Sequence, residues 1–551
     1  MAQLRNVSEQ PYARFERKSN KKAPEMTENN WWKGSVTYQI YPRSFQDDNG
    51  DGVGDIKGIT RRLPHIADLG VDAIWLSPIF TSPMADMGYD ISNYKDIDPS
   101  FGTLEDFDEM VARAHELGLK VIIDQVISHS SDEHPFFQES RQSTDNPKAD
   151  WYVWADPNPD GSAPNNWMSI FGGIAWEWDT RRKQYYFHNF LKKQPDFNFH
   201  NPEVQDYMLG VMRFWLDRGV DGFRLDTVNF YYHDNELRSD PPLKNSIKDR
   251  PANPYNMLFH TYSKNRPENI AFLERMRALL DEYDARTMVG EVGEANRPIE
   301  MMGEYTTGKR LHMAYSFEML NYEFNAAHFR KQITRFFDLA PNGWPCWAFS
   351  NHDVVRHVTR WMPHAKDQNS IAHLSAGLLL SLQGSICMYQ GEELGQTETV
   401  LEYHELTDPQ GITFWPADKG RDGCRTPMVW SDSDDNAGFS SAQPWLPIKP
   451  NQRSRAASTA DAQAVMATYR SLLGLRRENE ALRTGNTTFL DTDEPILAFT
   501  RADQVLCVFN LSNSATTFAA NRDGTVMFAQ NANMHNGAIE LGPNGFIWVA
   551  L

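Results

Sequence analysis

Residues 221–226 read Asp-Gly-Phe-Arg-Leu-Asp, and this stretch decides the fold because it ends an apolar segment on a carboxylate, Asp226. The arrangement recurs elsewhere: Asp124 lies near the end of Val-Ile-Ile-Asp-Gln-Val, Glu291 closes Thr-Met-Val-Gly-Glu, and Asp353 follows Ala-Phe-Ser-Asn-His. Acidic residues at the C-terminal ends of successive parallel strands are how a (β/α)8 barrel assembles an active site. The sequence therefore predicts an α/β protein built on this barrel.

A repeated unit of helix, glycine and apolar strand supports the barrel. Helical periodicity ends at Gly70, Gly118 and Gly219, and an apolar segment follows each glycine. Glycine ends helices because it adopts the left-handed backbone readily, and buried parallel strands have continuous apolar sequences. With the later apolar segments, the pattern predicts barrel strands at 35–42, 71–78, 119–126, 220–226, 287–291, 312–317, 346–350 and 385–389.

Two segments interrupt this repeat, and the pattern changes near the C-terminus. Residues 127–200 are too long for an ordinary βα connection, which predicts an inserted small domain, domain B, after the third strand. Residues 229–286 are predicted to hold a second, mostly helical insertion. The remaining parts are predicted as an N-terminal extension at 1–30, the barrel at 31–126 and 201–478, and a C-terminal all-β domain of the β-sandwich type at 479–551.

The composition argues against several classes of protein. A formal net charge of −19 disfavours nucleic acid or an anionic membrane as a partner. The chain has no apolar run long enough to cross a bilayer and no secretory signal in its first residues. Its 4 cysteines lack the spacing of a zinc site or a disulfide framework. We therefore expect a cytoplasmic protein, a monomer or a homodimer, that acts on small molecules.

Several short motifs together resemble one known family. They lie at 88–90 (Gly-Tyr-Asp), 124–129 (Asp-Gln-Val-Ile-Ser-His), 194–198 (Gln-Pro-Asp-Phe-Asn), 222–226, Glu291 and 350–353. Over nearly everything after residue 31, the chain resembles the α-amylase superfamily, glycoside hydrolase family 13, and within it the bacterial α-glucosidase and oligo-1,6-glucosidase branch. It departs from the family pattern at Ser128, commonly Asn, and at Phe197, usually Leu, and neither position is expected to perform the chemistry.

The resemblance implies three catalytic carboxyl groups. Cleaving a glycosidic bond with retention needs a carboxylate nucleophile and a carboxylic acid about 5–5.5 Å apart. By resemblance, Asp226 is the nucleophile, Glu291 is the acid/base, and Asp353 holds sugar hydroxyls and stabilises the transition state. Arg224 lies two residues before the nucleophile on the same strand face, and we expect it to keep that carboxylate ionised. Burial should raise the pKa of Glu291.

The resemblance also implies residues that bind the first glucose. His129 and His352 resemble histidines that bond its hydroxyls, and Tyr89 would offer the sugar an aromatic face. Three phenylalanines are expected near the mouth of the site, where core packing and substrate contact are equally plausible roles: Phe171, Phe190 and Phe317.

Two further features of the resemblance concern specificity. Asp86 and Arg421, with Arg425 as the alternative to Arg421, resemble a pair that grips the hydroxyls at the non-reducing end. Such a pair would close the site into a pocket and make the enzyme exo-acting. Thr227, directly after the nucleophile, resembles the residue that favours α-1,4 over α-1,6 linkages, for which the family uses valine.

An acidic loop at 47–55 reads Asp-Asp-Asn-Gly-Asp-Gly-Val-Gly-Asp. Oxygen-bearing residues alternate with glycines, as in the first part of an EF-hand loop, but the closing glutamate is missing. Family members carry a structural Ca²⁺ here, so the resemblance implies a Ca²⁺ or Mg²⁺ site, the alternative being a solvated acidic turn. The predicted ligands are Asp47, Asn49, Asp51, the Val53 carbonyl and Asp55.

These predictions describe a retaining, exo-acting α-glucosidase that acts on maltose, maltooligosaccharides and aryl α-glucosides and also transfers glucose. A transglucosylase or a sugar isomerase of the sucrose, trehalulose or trehalose type is the alternative, because the same covalent intermediate would serve all three. A non-catalytic relative is disfavoured because the carboxylates are present and no membrane anchor is visible.

Overall fold

A barrel of parallel strands forms the centre of the structure, a computed structural model that describes residues 30–243, 251–520 and 523–551. The barrel strands are β1 (Val36–Ile40), β2 (Ala73–Leu76), β3 (Lys120–Gln125), β4 (Gly222–Leu225), β5 (Thr287–Val292), β6 (Met313–Ser316), β7 (Cys346–Ala348) and β8 (Ser385–Tyr389). They form an 8-stranded sheet in chain order, and a parallel bridge between Ala314 and Pro345 joins its edges, β6 and β7. The predicted barrel is therefore confirmed. The extension predicted at 1–30 lies, apart from Asn30, outside the described residues.

A helix follows each barrel strand in the chain. These helices are α1 (Ile56–Leu69), α2 (Leu104–Glu116), α3 (Pro202–Asp217), α4 (Asn269–Leu280), α5 (Pro298–Thr306), α6 (Ala326–Leu339), α7 (Gln368–Ser381) and α8 (Ala460–Glu478). Asp55 begins α1 by accepting the Gly58 backbone N–H, and a capping box of Thr103 and Asp106 begins α2. Gly70, at φ 95°, ends α1 in the left-handed region. Shorter helices lie at Pro135–Ser140, His357–Trp361, Pro409–Phe414, Asp422–Arg425, Pro450–Arg453 and Glu480–Arg483.

The barrel strands are buried on both faces, which explains their continuous apolar sequences. In β2, Ala73 and Trp75 belong to a cluster of strand residues that fills the barrel interior. Ile74 and Leu76 alternate with them and belong to the large cluster that includes the helices. The barrel is thus a packed core, and its polar chemistry is confined to the strand ends.

Domain B lies between β3 and α3 and covers one side of the barrel mouth. It contains an antiparallel sheet of Trp154–Ala155, Trp176–Asp179 and Gln184–Phe187. Bridges from His129 to Asp196 and from Tyr152 to Phe197 tie its two ends together. A hairpin of Phe80–Thr81 and Asn93–Ile97 after β2 carries the 88–90 motif beside it.

The second insertion differs from its prediction. Within 229–243 and 251–286, the regular helices are α4 and one 3-10 turn, Pro254–Met257. The expectation of a mostly helical segment is therefore wrong for the described residues, since α4 is the ordinary barrel helix after β4. The rest is irregular chain that runs across the mouth of the barrel and contributes to its cavity.

The C-terminal domain is all-β and antiparallel, as predicted. Its strands are Thr487–Phe489, Ile496–Arg501, Val505–Asn510, Thr516–Ala519, Thr525–His535 and Ala538–Ala550. They form one hydrogen-bonded 6-stranded sheet among the described residues, and the β-sandwich arrangement of these strands stays a prediction. One face of this sheet packs on α7, where a Cβ added to Gly377 would lie 2.3 Å from the Phe546 ring.

Candidate active site

A cavity of about 600 Å³ opens at the C-terminal ends of the barrel strands. Most of the residues predicted to bind or cleave the substrate line it: Asp86, Tyr89, His129, Phe171, Phe190, Asp226, Thr227, Glu291, Phe317, Asp353 and Arg421. Arg224 and His352 are buried behind this lining and contact it through their side chains. Chain segments far apart in sequence thus meet at one site.

Arg224 joins the acidic side chains at the base of the cavity. Its Nη1 lies 2.6 Å from Asp226 Oδ1 and 2.9 Å from Asp124 Oδ1. Its Nη2 lies 2.5 Å from Glu291 Oε1. Tyr315 completes the group, because its hydroxyl accepts from Arg224 Nη2 at 2.9 Å and donates to Glu291 Oε1 at 2.9 Å. A single guanidinium therefore fixes the positions of both proposed catalytic carboxyl groups.

Thr227 contacts both of these carboxyl groups as well. Its backbone N–H donates to Glu291 Oε2 at 3.1 Å, and its hydroxyl donates to Asp226 Oδ2 at 3.2 Å. Its φ of 40° is a strained conformation for a β-branched residue. Such strain persists only where surrounding contacts hold it, and it is concentrated at functional sites.

The two carboxyl groups share their protonation. Burial raises the pKa of Asp226 to about 7 and that of Glu291 to about 7, although Arg224 lowers both. The negative charge of Asp226 contributes to the rise at Glu291. Because each ionised carboxylate disfavours ionisation of the other, the pair holds one proton between its members near neutral pH.

Asp353 is the carboxylate that stays ionised. Burial alone would raise its pKa, but the positive charges of the nearby arginines, Arg425 first among them, hold the pKa well below its usual range. Arg425 Nη2 lies 2.9 Å from Asp353 Oδ1, and His352 Nε2 lies 3.3 Å from Oδ2. Burial lowers the pKa of His352 well below its usual value, so this ring is neutral. It stacks on Tyr89 with 5.4 Å between ring centroids, which orients both rings.

An ion pair closes one end of the cavity. Arg421 Nη2 lies 2.9 Å from Asp86 Oδ1 and 2.8 Å from Asp408 Oδ1. Arg425, the alternative considered from the sequence, is fully buried, and its Nε donates to the His352 carbonyl. The geometry therefore separates the two arginines, because Arg421 lines the cavity beside Asp86 whereas Arg425 lies behind Asp353.

Aromatic rings and one histidine form the wall that domain B contributes. Phe171 and Phe190 pack with Phe230 in a small cluster at the cavity. Arg421 lies over the Phe171 ring, 5.0 Å from its centroid. His129 lies beside Phe190, with 5.0 Å between centroids, and burial lowers its pKa to about 4. On the opposite side, Phe317 belongs to a short 3-10 turn after β6.

Several residues that line the cavity or contact its lining were not anticipated from the sequence. Tyr315 lies near the C-terminal end of β6 and could have been found by the same strand-end rule that located the carboxylates. Asp408 lies in a long loop after β8 and has no comparable signal. Lys264, at 4 % exposure, lines the cavity with Glu294, and its Nζ donates to the Gly293 carbonyl at 2.5 Å.

The acidic loop forms a compact turn that is stabilised by its own side chains. Asp55 Oδ1 caps α1, and its Oδ2 accepts backbone N–H groups of the loop. Asp47 accepts from Gly50 and Gly52, Asn49 accepts from Asp51, and Asp51 accepts from Val53. Nowhere in the described part of the chain do three or more His, Cys, Asp or Glu side chains converge as metal ligands. The metal therefore stays a prediction.

Comparisons with known proteins agree with this geometry. Residues 39–485 match the α-amylase catalytic domain. A probable α-glucosidase of Rhizobium meliloti is 57% identical over 88% of this chain and 90% of its own length. An oligo-1,6-glucosidase of Parageobacillus thermoglucosidasius is 38% identical over 89% and 92%. The crystal structure of XgtA, an α-glucosyl transfer enzyme, superposes with a TM-score of 0.89 at 51% identity, covering 94% of this chain and 99% of that one.

No helix in the described ranges has the length and hydropathy that crossing a membrane requires. The matched range, 39–485, contains nearly all of the barrel together with domain B. The chain belongs to the α-amylase family and is a glycoside hydrolase.

Proposed function

We propose that the protein is a retaining, exo-acting α-glucosidase that releases α-glucose from the non-reducing end of short α-1,4-linked glucosides. The observation that supports this most directly is the contact of one guanidinium, that of Arg224, with both Asp226 and Glu291. Retaining enzymes need carboxyl groups about 5–5.5 Å apart, whereas inverting enzymes separate them by about 6.5–9.5 Å to admit a water. Two carboxylates on one guanidinium favour the shorter separation.

The proposed reaction has two steps. Asp226 attacks the anomeric carbon and forms a glucosyl ester, while Glu291 gives its proton to the leaving glycosidic oxygen. Forming the ester removes the negative charge of Asp226, which is one of the causes that raise the pKa of Glu291. The pKa of Glu291 therefore falls in the intermediate, so the same group can take a proton from the water that attacks the ester and releases α-glucose.

The closed end of the cavity supports exo action. Asp86 and Arg421 present charged groups beside the aromatic ring of Phe171, where the terminal hydroxyls of one glucose would be bound. Phe317 and Lys264 also line the cavity, and a longer chain would extend away from the Asp86–Arg421 pair. Release of a single glucose from the non-reducing end follows from this shape.

Transfer of glucose to another acceptor is the second candidate activity. The structural likeness to an α-glucosyl transfer enzyme favours it, and the proposed intermediate reacts with either water or an alcohol. We assign hydrolysis as the main reaction by likeness to the glucosidases. Comparing glucose and oligosaccharide products with and without an added acceptor would separate the two activities.

The first test is hydrolysis of maltose and isomaltose, with the released anomer followed by NMR. Initial α-glucose from maltose, lost in Asp226→Asn but kept in the exposed control Asp206→Asn, is the expected result. Initial β-glucose, or full activity of Asp226→Asn, would contradict the mechanism. A preference for isomaltose would leave the mechanism intact and refute the α-1,4 assignment based on Thr227.

We also propose that the 47–55 loop binds one Ca²⁺, or Mg²⁺, in a structural role. The donor set is entirely oxygen, as these ions prefer. The backbone contacts of Asp47 and Asp55 leave further lone pairs on their carboxylates, since an ionised carboxylate has about four acceptor sites. The ion would brace the loop that joins β1 to α1, and it has no part in the reaction.

A further inference from the structure

A chain of hydrogen-bonding side chains connects the end of the cavity that the Asp86–Arg421 ion pair closes with Asp226. Gln194 Nε2 lies 3.1 Å from His129 Nε2, and His129 Nδ1 lies 2.9 Å from Ser128 Oγ. Ser128 Oγ lies 3.3 Å from Thr227 Oγ1, which in turn lies 3.2 Å from Asp226 Oδ2. All five side chains are at most 9% exposed. The side chains are therefore close enough to donate and accept hydrogen bonds among themselves.

Counting donors gives the chain a direction. Gln194 uses one amide hydrogen on Asp86 at 3.1 Å and has a second for His129 Nε2, which must then be an acceptor. A neutral imidazole with an unprotonated Nε2 carries its hydrogen on Nδ1, so His129 donates to Ser128. Ser128 can then donate to Thr227, and Thr227 to the nucleophile. In this order each of the four contacts along the chain has one donor and one acceptor, whereas the Tyr89 carbonyl, 3.0 Å from His129 Nε2, receives no hydrogen from the ring.

The other tautomer of His129 satisfies fewer contacts. With its hydrogen on Nε2, the ring donates to the Tyr89 carbonyl at 3.0 Å but presents a donor to the Gln194 amide. Its unprotonated Nδ1 then accepts the hydroxyl hydrogen of Ser128, so Ser128 has no hydrogen left for Thr227. The single hydroxyl hydrogen of Thr227 must then serve either Ser128 or Asp226, and one of these two contacts stays unsatisfied. Unsatisfied buried polar groups are costly, which favours the first tautomer. Burial keeps the ring neutral, as either tautomer requires.

We propose that Ser128 and Thr227 are positioning residues that deliver one oriented hydrogen bond to the nucleophile Asp226, with the direction fixed by the Nδ1–H tautomer of His129. The inference rests on the proposed function, which makes Asp226 the nucleophile. Ser128 does not line the cavity and acts only through its neighbours.

The relay also explains the strained backbone of Thr227. Its φ of 40° aims the backbone N–H at Glu291 and the hydroxyl at Asp226 at the same time. When the Thr227 hydroxyl oxygen accepts a hydrogen bond from Ser128, the Thr227 hydroxyl hydrogen can point only toward the Asp226 carboxylate. Chains of hydrogen bonds polarise one another, so the bond to the nucleophile is stronger than an isolated hydroxyl would give.

The test compares four variants on an aryl α-glucoside, which has no sugar–sugar linkage to recognise. Thr227→Val keeps the shape and the backbone contact but removes the donor, and Ser128→Ala removes the donor behind it. Ser128→Thr restores a hydroxyl. Ser130→Ala is the matched control, because Ser130 is equally buried two residues away and bonds Tyr152 at 2.8 Å, outside the relay.

We expect kcat/KM at pH 7 to fall about ten- to a hundredfold in Thr227→Val, as for loss of a hydrogen bond to a charged group. In Ser128→Ala it should fall about two- to fivefold. The acid limb of the pH profile should move to higher pH in both, because the ionised nucleophile loses support. The acid limb of the pH profile should lie at the wild-type pH in Ser128→Thr, which keeps a hydroxyl, and in the control Ser130→Ala. The charged groups facing Asp226 are unchanged in every variant: Arg224, Asp124, Asp353 and Glu291.

Two results would overturn the relay. One is a wild-type acid limb and wild-type kcat/KM on the aryl glucoside in both Thr227→Val and Ser128→Ala, with only the maltose to isomaltose ratio altered. The other is an equal loss in Ser130→Ala, which would indicate general damage to the loop. Activity of Asp226→Asn measured alongside separates these cases from failure of the proposed function, because that variant tests the nucleophile directly.

Discussion

Replacing Arg224 with methionine removes the cation that the proposed catalytic carboxyl groups share. Arg224 is fully buried and contacts Asp226, Glu291 and Asp124. With it gone, the carboxyl groups face one another without a counter-ion. Their charged forms then become less favourable, and the nucleophile binds its proton at a higher pH.

The magnitude follows from the geometry. An opposite charge within about 4–6 Å lowers a carboxyl pKa by about 1–3 units, and Arg224 Nη1 lies 2.6 Å from Asp226. The pKa of Asp226 is about 7 with the arginine present, so it rises further without it. Each unit is a tenfold change in the ionised fraction. Because half of Asp226 is ionised at pH 7 when its pKa is about 7, we expect kcat/KM at this pH to fall about 5- to 500-fold, with recovery as the pH is raised.

The assay is kcat/KM for an aryl α-glucoside across pH 5–9, with thermal unfolding measured in parallel. Raised native carboxyl pKa values mean that the native state binds more protons than the unfolded state, so the stability contributed by these groups is lost as the pH rises through about 7. Arg224→Met should therefore lose more Tm at pH 8 than at pH 5. Arg224→Lys, which keeps the charge, should restore much of the acid limb. A pH-independent loss with an unmoved acid limb would refute the electrostatic role.

Three further predictions concern other parts of the molecule. Arg421→Met should lower kcat/KM for all α-glucosides about 10- to 100-fold, as expected for lost hydrogen bonds from a charged group. Steady-state kinetics on maltose measures this loss, and activity equal to that of the wild type would contradict the closed-pocket argument. Gly377→Ala should lower Tm without changing KM, because the added Cβ would lie 2.3 Å from Phe546. Differential scanning calorimetry measures the change in Tm, and an unchanged Tm would show that the C-terminal sheet can move away from α7 to make room. Chelation should lower Tm, with restoration by Ca²⁺, if the loop ending at Asp55 holds the ion; a Tm insensitive to both chelator and Ca²⁺ would contradict the metal site.

Much of the fold could be predicted because local signals agreed with one another. The glycines at 70, 118 and 219 are all left-handed in the structure, at φ 95°, 78° and 93°. The strands they precede are buried on both faces, so their sequences are apolar without alternation. The C-terminal domain was predicted as all-β because alternation identifies strands, whereas their pairing order depends on contacts between distant residues.

The candidate site could be predicted only as a set of residues. Strand-end position located Asp226 and Glu291, but the contacts that set their pKa values come from Arg224, Tyr315 and Thr227 in three dimensions. The irregular segment after β4 was misjudged because its polar sequence has no periodicity to read, and its path is fixed by packing across the cavity mouth.

The barrel, the family and the strand-end positions of the carboxylates could be predicted from the sequence alone, because periodicity, helix ends and short motifs are local properties. Only the tertiary structure decided which arginine faces the cavity and which lies behind it, since Arg421 and Arg425 are one helical turn apart. It also decided that Ser128, set aside from the sequence, contacts Thr227 across 99 residues of chain. Electrostatic and hydrogen-bonding partners depend on distance in space, and the linear order of residues does not contain that distance.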